Sequence, residues 1–256
     1  MKILALGDVV GVRAVEYLGE KLSAVKKQLG VDFTVANGEN ATEIKGLSNY
    51  DARALLDSGV DLITGGNHIF GKRDLVPLLE SSLSIIRPAN YPGRVPGEGY
   101  RIVDVNSRRI LCINVSGCVY MEPLASPFET VDAILEKENG RYDVALMDIH
   151  AEATSEKYAL ARYFDGRVSV MFGTHTHVPT ADEQILPKGS AYITDLGMCG
   201  PTGGILGTDA DAVIERFLTH TPTTFFPSNT PVKAHGALFE LDDEALRPIS
   251  VRRIKF

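Results

Sequence analysis

The sequence predicts an α/β fold. Apolar runs of strand length alternate with amphipathic helical segments through the first third, polar donors recur at the strand ends, and turn residues divide much of the second half into hairpins. The first strand, Lys2-Ile3-Leu4-Ala5-Leu6, ends at Gly7-Asp8. Val15, Leu18, Leu22, Val25 and Leu29 recur at helical spacing, so residues 14 to 29 read as a helix packed on the sheet. Phe33-Thr34-Val35-Ala36 is the next strand and leads to Glu39-Asn40. A helix begins near Ser48 and stops before Gly59, with Leu55-Leu56 facing inward, and the strand Leu62-Ile63-Thr64 then leads to Asn67-His68. Tyr100 to Val115 folds back near Asn106-Ser107. In Ser126-Pro127-Phe128-Glu129 an N-cap serine, a proline at the first helical position and a glutamate at N3 start a helix expected to reach about Gly140. The strand ending at Ile149 delivers His150, and Thr154 is expected to cap a helix through Phe164 closed by Gly166. Val168-Ser169-Val170-Met171-Phe172 leads to Gly173-Thr174-His175-Thr176-His177. Residues 209 to 219 form a last helix, Thr219 to Pro231 an extended surface loop suited to an interface arm, and Ala237 to Ile254 a hairpin turning near Asp242-Asp243.

A chain of 256 residues can bury a substantial core, and no break in composition divides it, so one domain over residues 1–256 is expected. The formal charge of −7 gives no bulk attraction to polyanions, so any phosphate binding must be local. Cys112, Cys118 and Cys199 are odd in number and form no C-x-x-C pair, which speaks against a disulfide framework or a thiolate metal site and fits a reducing cytoplasm. No signal-peptide pattern and no membrane-length apolar run occurs, so a soluble protein without a membrane partner is expected.

Four of the six histidines follow strand ends: His68, His150, His175 and His177. Each candidate has a plainer alternative. Asp8 after Gly7 suits an Asx-turn or a cap, Asn40 a turn, Gly65-Gly66-Asn67 a bare loop and His150 a satisfied core histidine. Glu39, between amides and with no helix to cap, is harder to explain that way. His175 and His177 would share one side if extended, while His220 and His235, near the Thr/Pro loop, read as surface residues. What outweighs the alternatives is recurrence at topologically equivalent positions, because strand carboxyl ends in an α/β sheet line one crevice. Carboxylates, amides and imidazoles without thiolate suit Mn, Fe or Zn, and so many donors exceed the needs of one tetrahedral ion. Glu39 could bridge a pair of ions about 3.5 to 4 Å apart.

These motifs resemble the calcineurin-like metallophosphoesterases, through Gly66-Asn67-His68 and Gly173-Thr174-His175-Thr176-His177. Within that superfamily the chain is similar to the YmdB-like bacterial phosphodiesterases. Gly7-Asp8-Val9-Val10-Gly11, Asn37-Gly38-Glu39-Asn40-Ala41, the run from His150 to Lys157 and Asp195-Leu196-Gly197-Met198-Cys199-Gly200-Pro201 carry the similarity. The resemblance implies a mixed β-sandwich flanked by helices and two divalent or trivalent transition-metal ions. One ion would be held by Asp8, Glu39, Asn40 and His177, the other by Glu39, Asn67, His150 and His175. It also implies hydroxide attack on a phosphodiester such as a 2′,3′-cyclic nucleotide, with His68 protonating the leaving group. Val10 stands where the wider superfamily has a histidine, and Glu39 where it has an aspartate; Asn40 would replace the missing histidine. Cys118 stands in place of an arginine and Gly71 in place of an aspartate, which affects substrate contacts more than the metal set. Expected partners are a small phosphodiester or nucleotide, RNA as a further candidate, and a second copy of the chain as a homo-oligomer. Gly200 to Thr208 could present backbone amides to a phosphate or nucleobase, or could be a Gly/Pro loop with no ligand. The competing functions are a phosphomonoesterase on the same metals and a non-catalytic nucleotide-binding protein using Gly7 to Gly11. The latter lacks both G-x-G-x-x-G and G-x-x-x-x-G-K-[ST].

Overall fold

Two β-sheets stack with helices on both outer faces in the computed structural model, which describes every residue except Ile44. In the first sheet β1 (Lys2–Leu6) runs parallel to β3 (Phe33–Asn37), which continues in parallel to β4 (Leu62–Thr64) and β5 (Ile85–Ile86). On its other side β1 pairs antiparallel with β13 (Val232–Leu241), which also pairs with β14 (Pro248–Lys255) and, at its beginning, with β12 (Met198–Pro201). β2 (Asp8–Val9) lies parallel to β12. The second sheet has the order β10 (Gln184–Ile185), β11 (Ala191–Ile193), β9 (Val170–Thr174), β8 (Val144–His150), β7 (Arg108–Ser116) and β6 (Tyr100–Val105).

The period-2 pattern explains the stacking. Along β1, Ile3 and Ala5 face the second sheet, while Leu4 and Leu6 face helices α1 (Val12–Leu29), α2 (Asn49–Asp57) and α3 (Val76–Ser81). Ile110 and Cys112 of β7 meet the inner layer, and Leu111, Ile113 and Val115 face α4 (Pro127–Lys137) and α5 (Thr154–Phe164). Strands apolar on both faces are what a sheet covered on both sides requires.

The elements follow the sequence with instructive departures. Ser48 caps α2 by accepting from the Asp51 N–H, and Ser126 caps α4 through the Glu129 N–H, as their side chains dictate. α4 stops at Lys137, short of Gly140. Ala153, not Thr154, occupies the N-cap of α5, so this helix starts without a side-chain cap. Asn106 and Ser107 both adopt positive φ, 50° and 63°, the two-residue turn that matches strand twist between β6 and β7. The second half is less antiparallel than expected, since β7, β8 and β9 are parallel. His235 is no surface residue of the Thr/Pro loop: it lies half-buried in β13. α6 (Ala210–Thr219) buries only Val213, and the segment after it is largely exposed. Among the described residues no helix is long and apolar enough to cross a membrane.

Candidate metal centre

The proposed donors come from both sheets rather than from one open sheet. β2 supplies Asp8, the turn after β3 Glu39 and Asn40, and the turn after β4 Asn67 and His68. The second sheet supplies His150 at the end of β8 and His175 and His177 after β9. They surround a cavity of about 320 Å³ lined by Glu39, Asn40, His68, His175 and His177, with Val10, Lys45, Leu206, Thr208 and Phe225 around them. A larger cavity of about 760 Å³ beside β6 and α4 contains none of these donors.

The hydrogen bonds leave one nitrogen of each histidine turned to the centre. His150 Nδ1 lies 2.9 Å from Thr174 Oγ1, whose hydroxyl donates to Asp148 Oδ1 at 2.7 Å, so the imidazole proton belongs on Nδ1. His150 Nε2 is left 3.0 Å from Asn67 Oδ1, 3.0 Å from His175 Nδ1 and 3.1 Å from Glu39 Oε1. His175 Nε2 lies 3.1 Å from Glu152 Oε2, which ties off that side of the ring. His177 Nδ1 faces the Leu206 carbonyl at 3.2 Å, leaving Nε2 3.8 Å from Asp8 Oδ1 and 3.3 Å from Asn40 Nδ2. Thus Gly200 to Thr208 turns a carbonyl, that of Leu206, toward a site histidine. Ligands of one ion with bonds near 2.1 Å sit about 3.0 Å apart at right angles and about 3.4 Å apart at the tetrahedral angle, and the 3.0 to 3.1 Å spacing around His150 Nε2 falls at the short end of that range. The ligand atoms of Glu39, His150 and His175 all lie within 4.8 Å of one another. Asp8 Oδ1 and Asn40 Oδ1 are buried with no hydrogen-bond partner, oxygens a cation would satisfy.

Electrostatics agree. Burial disfavours charge on His150, yet Glu39, Asp8 and Asp148 outweigh it and push the imidazolium up to about 9. Burial alone would raise Glu39, but His150 and the His68 N–H, which donates to Glu39 Oε2 at 2.7 Å, hold its carboxyl down at about 2. Burial and repulsion from His150 keep His175 neutral, at about 3. The carboxylates therefore create a potential that draws positive charge into the centre. Burial also lowers His68, against the pull of Glu39.

Backbone packing is as specific as the donor set. A Cβ on Gly66 would lie 2.3 Å from both Glu39 Oε2 and His150 Nε2. Gly66→Ala is expected to abolish metal binding with little change in secondary structure; a titration with Mn²⁺ alongside circular dichroism checks it.

An extended backbone would put His175 and His177 on one side. Instead both have positive φ, 97° and 62°, and converge through a turn. Glu152 against His175, and Lys45 and Phe225 at the cavity, are not evident from the sequence. Leu206 falls in the Gly200 to Thr208 run already singled out, where its carbonyl rather than a backbone amide is what faces the site, whereas no motif marks Lys45 or Phe225, which reach the cavity only through loop packing.

The fold and the donor set define the class: a metal-dependent phosphoesterase with the calcineurin-like metallophosphoesterase fold. More narrowly, the chain belongs to the YmdB-like protein family, whose model matches residues 4–254. It is 41% identical over 254 residues to the 2′,3′-cyclic-nucleotide 2′-phosphodiesterase of Bacillus subtilis (strain 168), covering 99% of this chain and 96% of that one. A crystal structure of a hypothetical protein from Thermus thermophilus superposes with a TM-score of 0.95 at 39% identity, covering 100% of this chain and 99% of that one. A crystal structure described as a novel phosphatase from Mycoplasma pneumoniae gives 0.94 at 35% identity, covering 100% and 93%.

Proposed function

We propose that this chain is a two-metal phosphodiesterase that opens 2′,3′-cyclic nucleotides, and that Asp8, Glu39, Asn40, Asn67, His150, His175 and His177 hold the ions, with Glu39 shared. The observation that carries the reading is the convergence of one ring nitrogen from each of His150, His175 and His177 on the buried oxygens of Glu39 and Asp8, with their opposite nitrogens held by Thr174, Glu152 and the Leu206 carbonyl. Similarity to a relative named for that activity supports the substrate class. Iron, manganese and zinc all suit nitrogen and oxygen donors without thiolate.

Metal ions bound there would supply charge neutralisation at the phosphate and water activation near neutral pH. The protein's own residues do the rest. Gly66 leaves room for the donors to meet, and Thr174, Glu152 and the Leu206 carbonyl set the imidazole orientations. Val10, Leu206 and Phe225 give the cavity an apolar wall suited to a nucleoside, and Lys45 places a cation at its mouth. His68 is half-buried at the cavity and holds the proton for the oxygen that departs when the phosphorus–oxygen bond breaks. Burial depresses its basicity, and an anionic phosphate beside it restores the imidazolium. Opening the ring at the 2′ oxygen gives a 3′-phosphate without a covalent enzyme intermediate. A cytoplasmic location and a homo-oligomer accord with this reading, and RNA ends carrying the same cyclic phosphate form a further substrate class.

Metal analysis with a hydrolysis panel tests it. The protein is expected to carry close to two transition-metal ions per chain, to lose activity to chelators, and to hydrolyse 2′,3′-cyclic nucleotides faster than 3′,5′-cyclic nucleotides or monoesters. A chain that binds at most one ion with metal in excess, or that turns over nucleoside monophosphates fastest, overturns it.

A further inference from the structure

We infer that the buried ion pair between Lys157 and Asp195 is the device that positions His175 and His177, holding the strained turn that aims both imidazoles at the metal centre. The inference rests on the reading of these histidines as metal ligands. Lys157 Nζ lies 2.6 Å from Asp195 Oδ2, with the side chains 0% and 1% exposed. The same oxygen accepts the Thr176 N–H at 3.2 Å and its hydroxyl at 2.8 Å, while Oδ1 accepts the Gly197 N–H at 2.8 Å. Asp195 therefore grips the one residue that separates the two histidines.

That residue is flanked by unfavourable backbone on both sides. Positive φ at His175 and His177 is costly for residues with a Cβ and persists only where the surroundings impose it. Asp8 Oδ2 restrains the turn at one end by accepting the His175 N–H at 3.0 Å. Asp195 restrains its middle. Lys157 reaches Asp195 beneath β9 because position 173 is glycine: a Cβ there would lie 2.7 Å from Lys157 Cδ and 1.8 Å from the Thr194 carbonyl oxygen. Gly173, Thr176, Lys157 and Asp195, spread over three motifs, thus form one support. A buried ion pair seldom improves on an apolar pair for stability, so geometric control of the turn is the stronger account of this one.

The test replaces the pair in two ways. Lys157→Met with Asp195→Leu removes the charges and the grip on Thr176 while keeping an apolar filling. Lys157→Met with Asp195→Asn removes the charges but keeps an oxygen acceptor for Thr176. Mn²⁺ affinity of the full chain is measured by titration, and the thermal midpoint of the metal-free protein is measured alongside. Met/Leu is expected to fold and to bind Mn²⁺ about 10- to 100-fold more weakly, with activity partly recovered in excess Mn²⁺, while Met/Asn recovers much of the affinity. Thr176→Val, which leaves the pair intact and loses one hydrogen bond, is expected to weaken Mn²⁺ several-fold and keeps the test decisive if Met/Leu does not fold. Wild-type Mn²⁺ affinity in Met/Leu, or in Thr176→Val where Met/Leu is unfolded, overturns the inference. So does equal loss in Met/Leu and Met/Asn that follows their thermal midpoints. If His175→Ala with His177→Ala leaves Mn²⁺ binding unchanged, the ligand reading itself has failed, which is a separate result.

Discussion

His68→Ala is expected to keep the wild-type metal content while lowering kcat for a 2′,3′-cyclic nucleotide by roughly 10²- to 10⁴-fold, the size of a lost general acid. The main chain of His68 donates to Glu39, an interaction the substitution keeps, so the centre's charge balance is preserved. Its ring lines the cavity and is not needed to complete either proposed ligand set. A ribose alkoxide is a poor leaving group and needs the proton; a nitrophenolate leaves without it. The loss for a nitrophenyl diester is accordingly expected to be much smaller. Metal content and kcat measured for both substrates decide the matter, and a uniform loss that follows metal depletion would make His68 a structural or ligating residue instead.

Glu39→Gln is expected to remove most of both ions and to lower activity by a comparable or larger factor. Its two oxygens face different neighbours: Oε1 is 3.1 Å from His150 Nε2 and 3.2 Å from Asn40 Nδ2, and Oε2 takes the His68 N–H. An amide presents one acceptor and one donor, so it cannot satisfy both sides, and it removes the charge that holds His150 up at about 9. Asn40→Ala, which touches His177 but not His150, is expected to weaken chiefly one ion. Metal-to-protein ratios across a titration distinguish the two. Equal, minor effects from the two substitutions would remove the shared-carboxylate assignment.

Much of the molecule was written locally in the chain. The α1 periodicity, the serine caps at Ser48 and Ser126, and the Asn106-Ser107 turn are short-range effects of side-chain shape and hydrogen bonding, and each led to the observed element. That Asp8, Glu39, Asn40, Asn67, His68, His150, His175 and His177 lie at or just past strand ends was readable in the chain, and their convergence was expected on one sheet, although two sheets contribute them.

What the sequence could not reveal depends on pairings distant along the chain. That two sheets share the donors follows from β13 returning beside β1, and from inner faces such as Ile3 and Phe172 finding each other. Which histidine nitrogen faces the centre is decided by Thr174, Glu152 and the Leu206 carbonyl. The turn at His175 and His177 ran against local preference, since extended backbone is favoured there in isolation. Asp8 and Asp195, brought in from remote segments, accept the backbone N–H groups of that turn and restrain it. The sequence by itself determined most of the longer helices and strands, though not α3, β5, β10 or β11, and the chemical identity of the donors, because those depend on nearest neighbours. The tertiary structure decided how those donors are aimed, because aim is set by hydrogen bonds between residues that only the completed sheets bring together.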